Sequence, residues 1–258
     1  MSDVQIVTPR GSTLCGTFIN PVDTKDAAVV FSHSVFENRN SGEYFDRLAA
    51  AYRAAGYATL IFDYSGHGAS DDDIITRELQ VEDLRAASGW VSDQGFSRQI
   101  IHGHAYGALV ALSAHPVAAT TMVLFSPVLG PRTYQWESIF STVQLDELDK
   151  HGVTTIPDDL PGNRQNFTIS KQTLVDLSMV DQDSLFRRID YPILIIHDGE
   201  DVETGLTQIT HDVFPLMADG SRVHIMQDTH FTQDSCPDTL VERVISWAQQ
   251  HVPARHYR

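Results

Sequence analysis

The apolar and polar positions of this chain fall into short runs of two periods that take turns along its length. Residues 4–7 and 13–19 are β-rich and flank Thr8-Pro9-Arg10-Gly11, a pattern that predicts a hairpin. Residues 27–31 form a continuous apolar run, as in a strand buried on both faces. Phe45, Leu48, Ala49 and Tyr52 then recur at helical spacing, and Gly56 stands where such a helix would stop. Residues 57–62 read as the next strand, and Leu79, Val81, Leu84 and Val91 as a helix of less regular spacing. Ile100 and Ile101 suit a buried strand, residues 108–112 a helix, and residues 121–125 another buried strand.

From about 131 to 188 the rhythm breaks, and Pro157, Pro161 and Gly162 interrupt weakly helical pieces. It resumes with a strand at 192–197, a helix near 206–214, a strand at 223–226 and a last helix from about 237 to 250. The expectation is one α/β domain over residues 1–258, with a mostly parallel sheet and helices on both faces. The interruption at 131–188 reads as a cap inserted over one edge of that sheet.

A chain of 258 residues can bury the core that such a domain needs. Its formal charge of -16, with no basic run, argues against a nucleic-acid partner, which requires clustered Lys and Arg. No apolar run approaches the roughly 20 residues of a membrane span. The start, Met1 to Gln5, has no basic region followed by an apolar stretch. Cys15 and Cys236 stand far apart and fit reduced thiols. A soluble, cytoplasmic protein with no membrane partner is expected, and the pattern leaves the oligomeric state open.

The chemistry concentrates at Gly103-His104-Ala105-Tyr106-Gly107, which has the frame G-x-S-x-G with alanine at its centre. Strand, tight glycine turn and helix is the context in which that frame presents a nucleophile. A serine there needs a base within hydrogen-bond reach and a third group to orient the base. In this architecture the chain order is nucleophile, acid, histidine. Asp201 follows the strand at 192–197, and His230 follows the strand ending at Met226. Both fall at carboxyl ends of strands, where open α/β sheets gather ligands. Asp198 and Glu200 compete for the acid role, and Asp201 could instead cap the next helix.

His33-Ser34-Val35 stands where an oxyanion loop would lie, making the backbone N–H groups of Val35 and Tyr106 candidate oxyanion donors; an ordinary loop turn is the alternative. Residues 63–70 suit a tight turn with a structural role. No cofactor or metal is expected. His102 ends a strand and His104 sits in the turn, so their side chains are expected to diverge, and neither has zinc-type spacing.

Through His33-Ser34, the 63–70 turn, the Gly103 to Gly107 frame, Asp201 and His230, in that order, the chain resembles the α/β-hydrolase family over nearly its whole length. The insertion resembles the cap of cinnamoyl and feruloyl esterases, a likeness to which Asn38-Arg39-Asn40 adds. The resemblance implies the α/β-hydrolase fold and a triad at positions 105, 201 and 230. It also implies acyl hydrolysis of a small carboxylester or thioester substrate. Two departures stand out: the family's His-Gly is His33-Ser34 here, and its serine is Ala105. The chain as written is therefore expected to be nearly inert in acyl transfer.

Ala105 reads as the substituted serine of a working hydrolase, or as the mark of a natural pseudo-hydrolase that binds without acylation. An acyltransferase on the same fold is also compatible. Epoxide hydrolases and dehalogenases look similar but need aspartate at the elbow. Tyr134, Trp136, Phe140 and Phe167 are candidates to line an apolar acyl pocket, the alternative being that they pack the insertion onto the body. Leu174, Leu177, Leu185 and Phe186 suit the buried side of its helices.

Overall fold

The computed structural model describes residues 2–21, 26–40, 43–226 and 236–254. The first half begins with a hairpin of β1 (Ser2–Val7) and β2 (Thr13–Ile19). It continues through β3 (Ala27–Ser32), α1 (Glu43–Ala54), β4 (Ala58–Phe62), β5 (Ile74–Ile75) and α2 (Arg77–Asp93). β6 (Arg98–His104), α3 (Tyr106–Ala114) and β7 (Ala119–Phe125) follow. After β7 come α4 (Trp136–Ile139), α5 (Thr142–His151), β8 (Val153–Pro157), β9 (Asn166–Ser170), α6 (Lys171–Ser178) and α7 (Gln182–Phe186). The last part holds β10 (Ile193–Asp198), α8 (Gly199–Glu203), α9 (Leu206–Val213), β11 (Arg222–Met226) and α10 (Asp238–His251).

The main sheet has the order β1-β2-β4-β3-β6-β7-β10-β11. β1, β2 and β4 pair antiparallel, and every pairing from β4 through β11 is parallel. Parallel strands covered on both faces must be apolar throughout, and all six residues of β3 are buried. One face packs against α2, α3, α7 and α9 through Leu84, Leu109, Phe186 and Val213. The other packs against α1 and α10 through Phe45, Tyr52, Leu240 and Trp247. The chain runs from β3 to β4 on one side and from β6 to β11 on the other. The strand order therefore reverses between β3 and β6, and a crevice at such a switch point is where ligands bind.

The segment between β7 and β10 carries two strands that the hydropathy pattern does not predict. β8 and β9 pair antiparallel, and β5 adds to β9 to make a separate three-stranded sheet. Each strand is five residues or fewer, and the prolines that end or follow β8 read as breakers in the sequence. Ser141 and Ser170 each close a capping box at the start of α5 and α6. A small core of Ile75, Phe140, Phe167 and Ile169 joins this sheet to Val35 and Phe36 in the loop after β3. Among the described residues, no helix is long and apolar enough to cross a membrane.

Candidate active site

Ala105 stands at the junction of β6 and α3 with φ 47° and ψ -113°, in left-handed territory that a residue with a side chain rarely adopts. Its neighbours enforce the turn. A Cβ on Gly107 would lie 2.2 Å from the Ser32 carbonyl oxygen and 2.3 Å from that of His33. A Cβ on Gly103 would lie 2.7 Å from Cα of Ala108. Glycine at 103 and 107 thus lets α3 start directly against β6 and the end of β3. The Ala105 amide donates to Phe125 O at 2.9 Å, tying the turn to β7.

The loop after β3 lies alongside. His33 is fully buried; its Nε2 accepts the Tyr64 amide at 3.2 Å, so Nδ1 carries the proton and donates to Ser34 O at 2.8 Å. Burial holds the His33 pKa below its ordinary value, against the pull of Asp63, and the ring stays neutral. The Ser34 amide donates to Glu37 Oε2 at 2.9 Å, and the Glu37 amide donates to Ser34 O at 3.3 Å. Glu37 Oε2 also lies 3.3 Å from His104 Nδ1. Burial alone would raise the Glu37 pKa, but the bond and charge of His104, with the Ser34 amide, bring it down to about 2. The Tyr106 amide donates to Ser34 Oγ at 3.3 Å. Val35 is half-buried and Phe36 adopts φ 60°.

Asp201 lies in α8, just past β10, and is buried. Its Oδ2 is 2.6 Å from His197 Nδ1, while His197 Nε2 is 2.7 Å from Thr210 Oγ1. The helix cap is Asp198, whose side chain accepts the Asp201 amide at 3.0 Å. β10 is two strands from β6 and parallel to it. Ala105 and Asp201 therefore follow the carboxyl ends of two strands, β6 and β10, that are separated in the sheet by β7 alone. The Val35 loop follows the neighbouring β3 on that edge. His230 lies outside the described residues, four positions beyond the end of β11.

His102 and His104 do not diverge. They are two positions apart on one strand and so share a face, with ring centroids 5.9 and 5.7 Å from that of Tyr44. The Tyr44 hydroxyl lies 2.9 Å from His102 Nε2, and burial lowers the His102 pKa to about 3. The 63–70 turn is held by its own carboxylate, since Asp63 accepts the Arg39 and Ala69 amides at 2.7 and 3.0 Å. A Cβ on Gly68 would fall 2.4 Å from that carboxylate.

Of the four aromatic candidates, Phe140 and Phe167 are buried in the small core, and Trp136 packs against it. Tyr134 and Trp136 are half-buried and stacked, 4.7 Å between centroids, with Phe140 5.7 Å beyond Trp136. A polar cleft of about 730 Å³ opens between the 63–70 turn and the β8–β9 hairpin, lined by Asn38, Asn40, Asp63, Arg164 and Asn166 among others. Val35, Ala105, Tyr106 and Asp201 do not line it. The pairings that sequence reasoning missed are Glu37 with His104, His197 with Asp201, and Ser34 with Tyr106. In the chain Ser34 and Tyr106 are 72 positions apart, and no local signal links them.

Comparison with known proteins agrees with this architecture. The chain is similar to the α/β hydrolase GrgF from Penicillium sp. sh18, with TM-score 0.76 and 18% identity, covering 97% of this chain and 98% of that one. DcsB, solved in complex with a substrate analogue, gives TM-score 0.75 and 16% identity over 97% of this chain and 99% of that one. An esterase of Pyrococcus furiosus gives 0.68 and 20% over 97% and 92%. At these identities the likeness shows the fold alone. Among curated proteins none matches. Residues 29–243 match the alpha/beta hydrolase family, and the chain belongs to that family.

Proposed function

We propose that the chain is built as a serine-hydrolase-type acyl site for a small carboxylester or thioester, with Ala105 at the nucleophile position. As written it would hold such a substrate without turning it over. The observation that carries this reading is the backbone of Ala105. A methyl group gains nothing from φ 47° at the mouth of a switch-point crevice, whereas a nucleophile there is lifted clear of the sheet.

With serine at 105, its Oγ would attack the acyl carbon while His230 takes the proton and Asp201 orients that histidine. The amides of Val35 and Tyr106 would receive the developing oxyanion. The leaving alcohol or thiol would take the proton back from His230, and water would then release the acid by the same route. Without the hydroxyl the first bond cannot form, a loss of about a million-fold in turnover for a triad serine. Residues 131–188 would act as a cap of the cinnamoyl and feruloyl esterase type, with Tyr134, Trp136, Phe140 and Phe167 shaping the acyl pocket. Tyr134 and Trp136 are the better placed of the four, because both keep exposed surface. No cofactor, metal, nucleic acid or membrane enters this scheme, and a cytoplasmic setting suits the two free thiols.

A second reading, a pseudo-hydrolase that only binds its ligand, draws support from Ser34 Oγ on the Tyr106 amide, which leaves one oxyanion donor engaged. Ala105→Ser tests the first reading: hydrolysis of p-nitrophenyl esters and labelling of residue 105 by a fluorophosphonate support it. A folded variant with neither property supports the second.

A further inference from the structure

Ser34 replaces the glycine expected in the oxyanion loop, and its side chain goes to a defined place. The hydroxyl is buried, with the residue 8% exposed, and Oγ accepts the Tyr106 N–H at 3.3 Å. An amide has one hydrogen. An oxygen aligned to receive it stands where a substrate oxyanion would have to stand, or competes with it for the same proton. The serine is held there by its own backbone. Its N–H is fixed to Glu37 Oε2, and its carbonyl receives both the Glu37 amide and His33 Nδ1–H. Because His33 is locked in turn by the Tyr64 amide, the loop cannot swing Ser34 away without breaking several buried bonds. The Glu37 carboxylate that receives the Ser34 amide is itself held by His104 Nδ1 at 3.3 Å, which fixes the loop further.

We propose that Ser34 is a built-in cap on the anion-binding position of the elbow, a positioning residue that occupies the Tyr106 amide until a ligand displaces it. The proposal rests on the acyl-site reading and deepens it. In the resting chain no tetrahedral oxyanion can form, because the nucleophile is missing, and the filled donor disfavours anions that arrive ready-made. The chain then favours neutral acyl ligands, whose carbonyl oxygen makes no strong demand on that amide, over anionic products and tetrahedral anions.

The test uses butylphosphonate as the anionic probe and isothermal titration as the readout. Ser34→Ala removes only the hydroxyl and is expected to bind butylphosphonate about fivefold to tenfold more tightly, while Ser34→Thr keeps the parent affinity. In an Ala105→Ser background, Ser34→Ala is expected to raise kcat by a similar factor with KM little changed, the signature of a donor used in the transition state. Equal or weaker phosphonate binding, or an unchanged or lower kcat in folded protein, overturns the proposal. Ser34→Gly is read by the same measurements where the alanine variant fails to fold. In the unsubstituted chain, a Tyr106 amide that exchanges with solvent freely also overturns it. Should Ala105→Ser be inert, the acyl-site reading fails, and phosphonate binding still decides the role of Ser34.

Discussion

The Asp201 carboxylate lies 2.6 Å from Nδ1 of His197, and the imidazole has no exposed surface. His197 Nε2 in turn lies 2.7 Å from the Thr210 hydroxyl, so both ring nitrogens are engaged. The acid of the proposed triad is thereby aimed by a chain of buried partners running from α9 to α8, before any catalytic histidine is considered.

Breaking that chain should be felt in stability and in positioning. His197→Leu leaves the Asp201 carboxylate and the Thr210 hydroxyl without their partner, and the expected loss is about 2–3 kcal/mol. Urea unfolding measures it. In an Ala105→Ser background the same change should lower kcat more than it raises KM, because Asp201 loses its aim. A stability within about 0.5 kcal/mol of the parent would show that the pair is dispensable.

Gly107 has no room for a side chain. Its Cβ would overlap two backbone carbonyl oxygens, at 2.2 and 2.3 Å, and backbone cannot move aside as a flexible side chain can. Gly107→Ala is expected to destabilise the fold by about 3 kcal/mol, read as a drop in the urea midpoint. Gly89→Ala, in helix α2 with open space around it, is the control and should be neutral or mildly stabilising.

Acid should unfold the protein well before its carboxylates are exhausted. His33, His67 and His102 are fully buried, and burial lowers the pKa of each, His102 to about 3. The unfolded chain protonates these rings near pH 6.5, so below that pH it binds more protons than the native state. Their contribution is complete above about pH 6.5 and is lost as the pH falls toward the folded values, at up to about 1.4 kcal/mol per pH unit per ring. Glu37 adds loss of the same sign between its unfolded value near 4.3 and its folded value of about 2. The urea midpoint should fall steeply from pH 7 to pH 4, and His102→Gln should flatten that fall. A midpoint independent of pH over this range would contradict the assignment of neutral buried rings.

Much of this architecture is readable from hydropathy. The run at 27–31 reads as a strand covered on both faces, and β3 is buried throughout. Gly103 and Gly107 bracket a turn whose geometry the structure displays in full. Reading stops where the determinants are long-range. β5 is two residues and β8 ends on a proline, so their pairing depends on β9 and not on a local pattern. The divergence expected of His102 and His104 fails because β6 extends through His104, which puts both on one face. Ser34 is legible as a departure from the family, but its hold on the Tyr106 amide exists only once β3 and β6 lie side by side.

The most direct measurement of whether the elbow is an acyl site is active-site labelling of Ala105→Ser with a fluorophosphonate, located by peptide mass spectrometry and run beside p-nitrophenyl butyrate hydrolysis. Labelling of residue 105 approaching one per chain, with ester hydrolysis that the parent chain lacks, is the expected result. A variant that folds like the parent but takes no label and cleaves no ester contradicts the account.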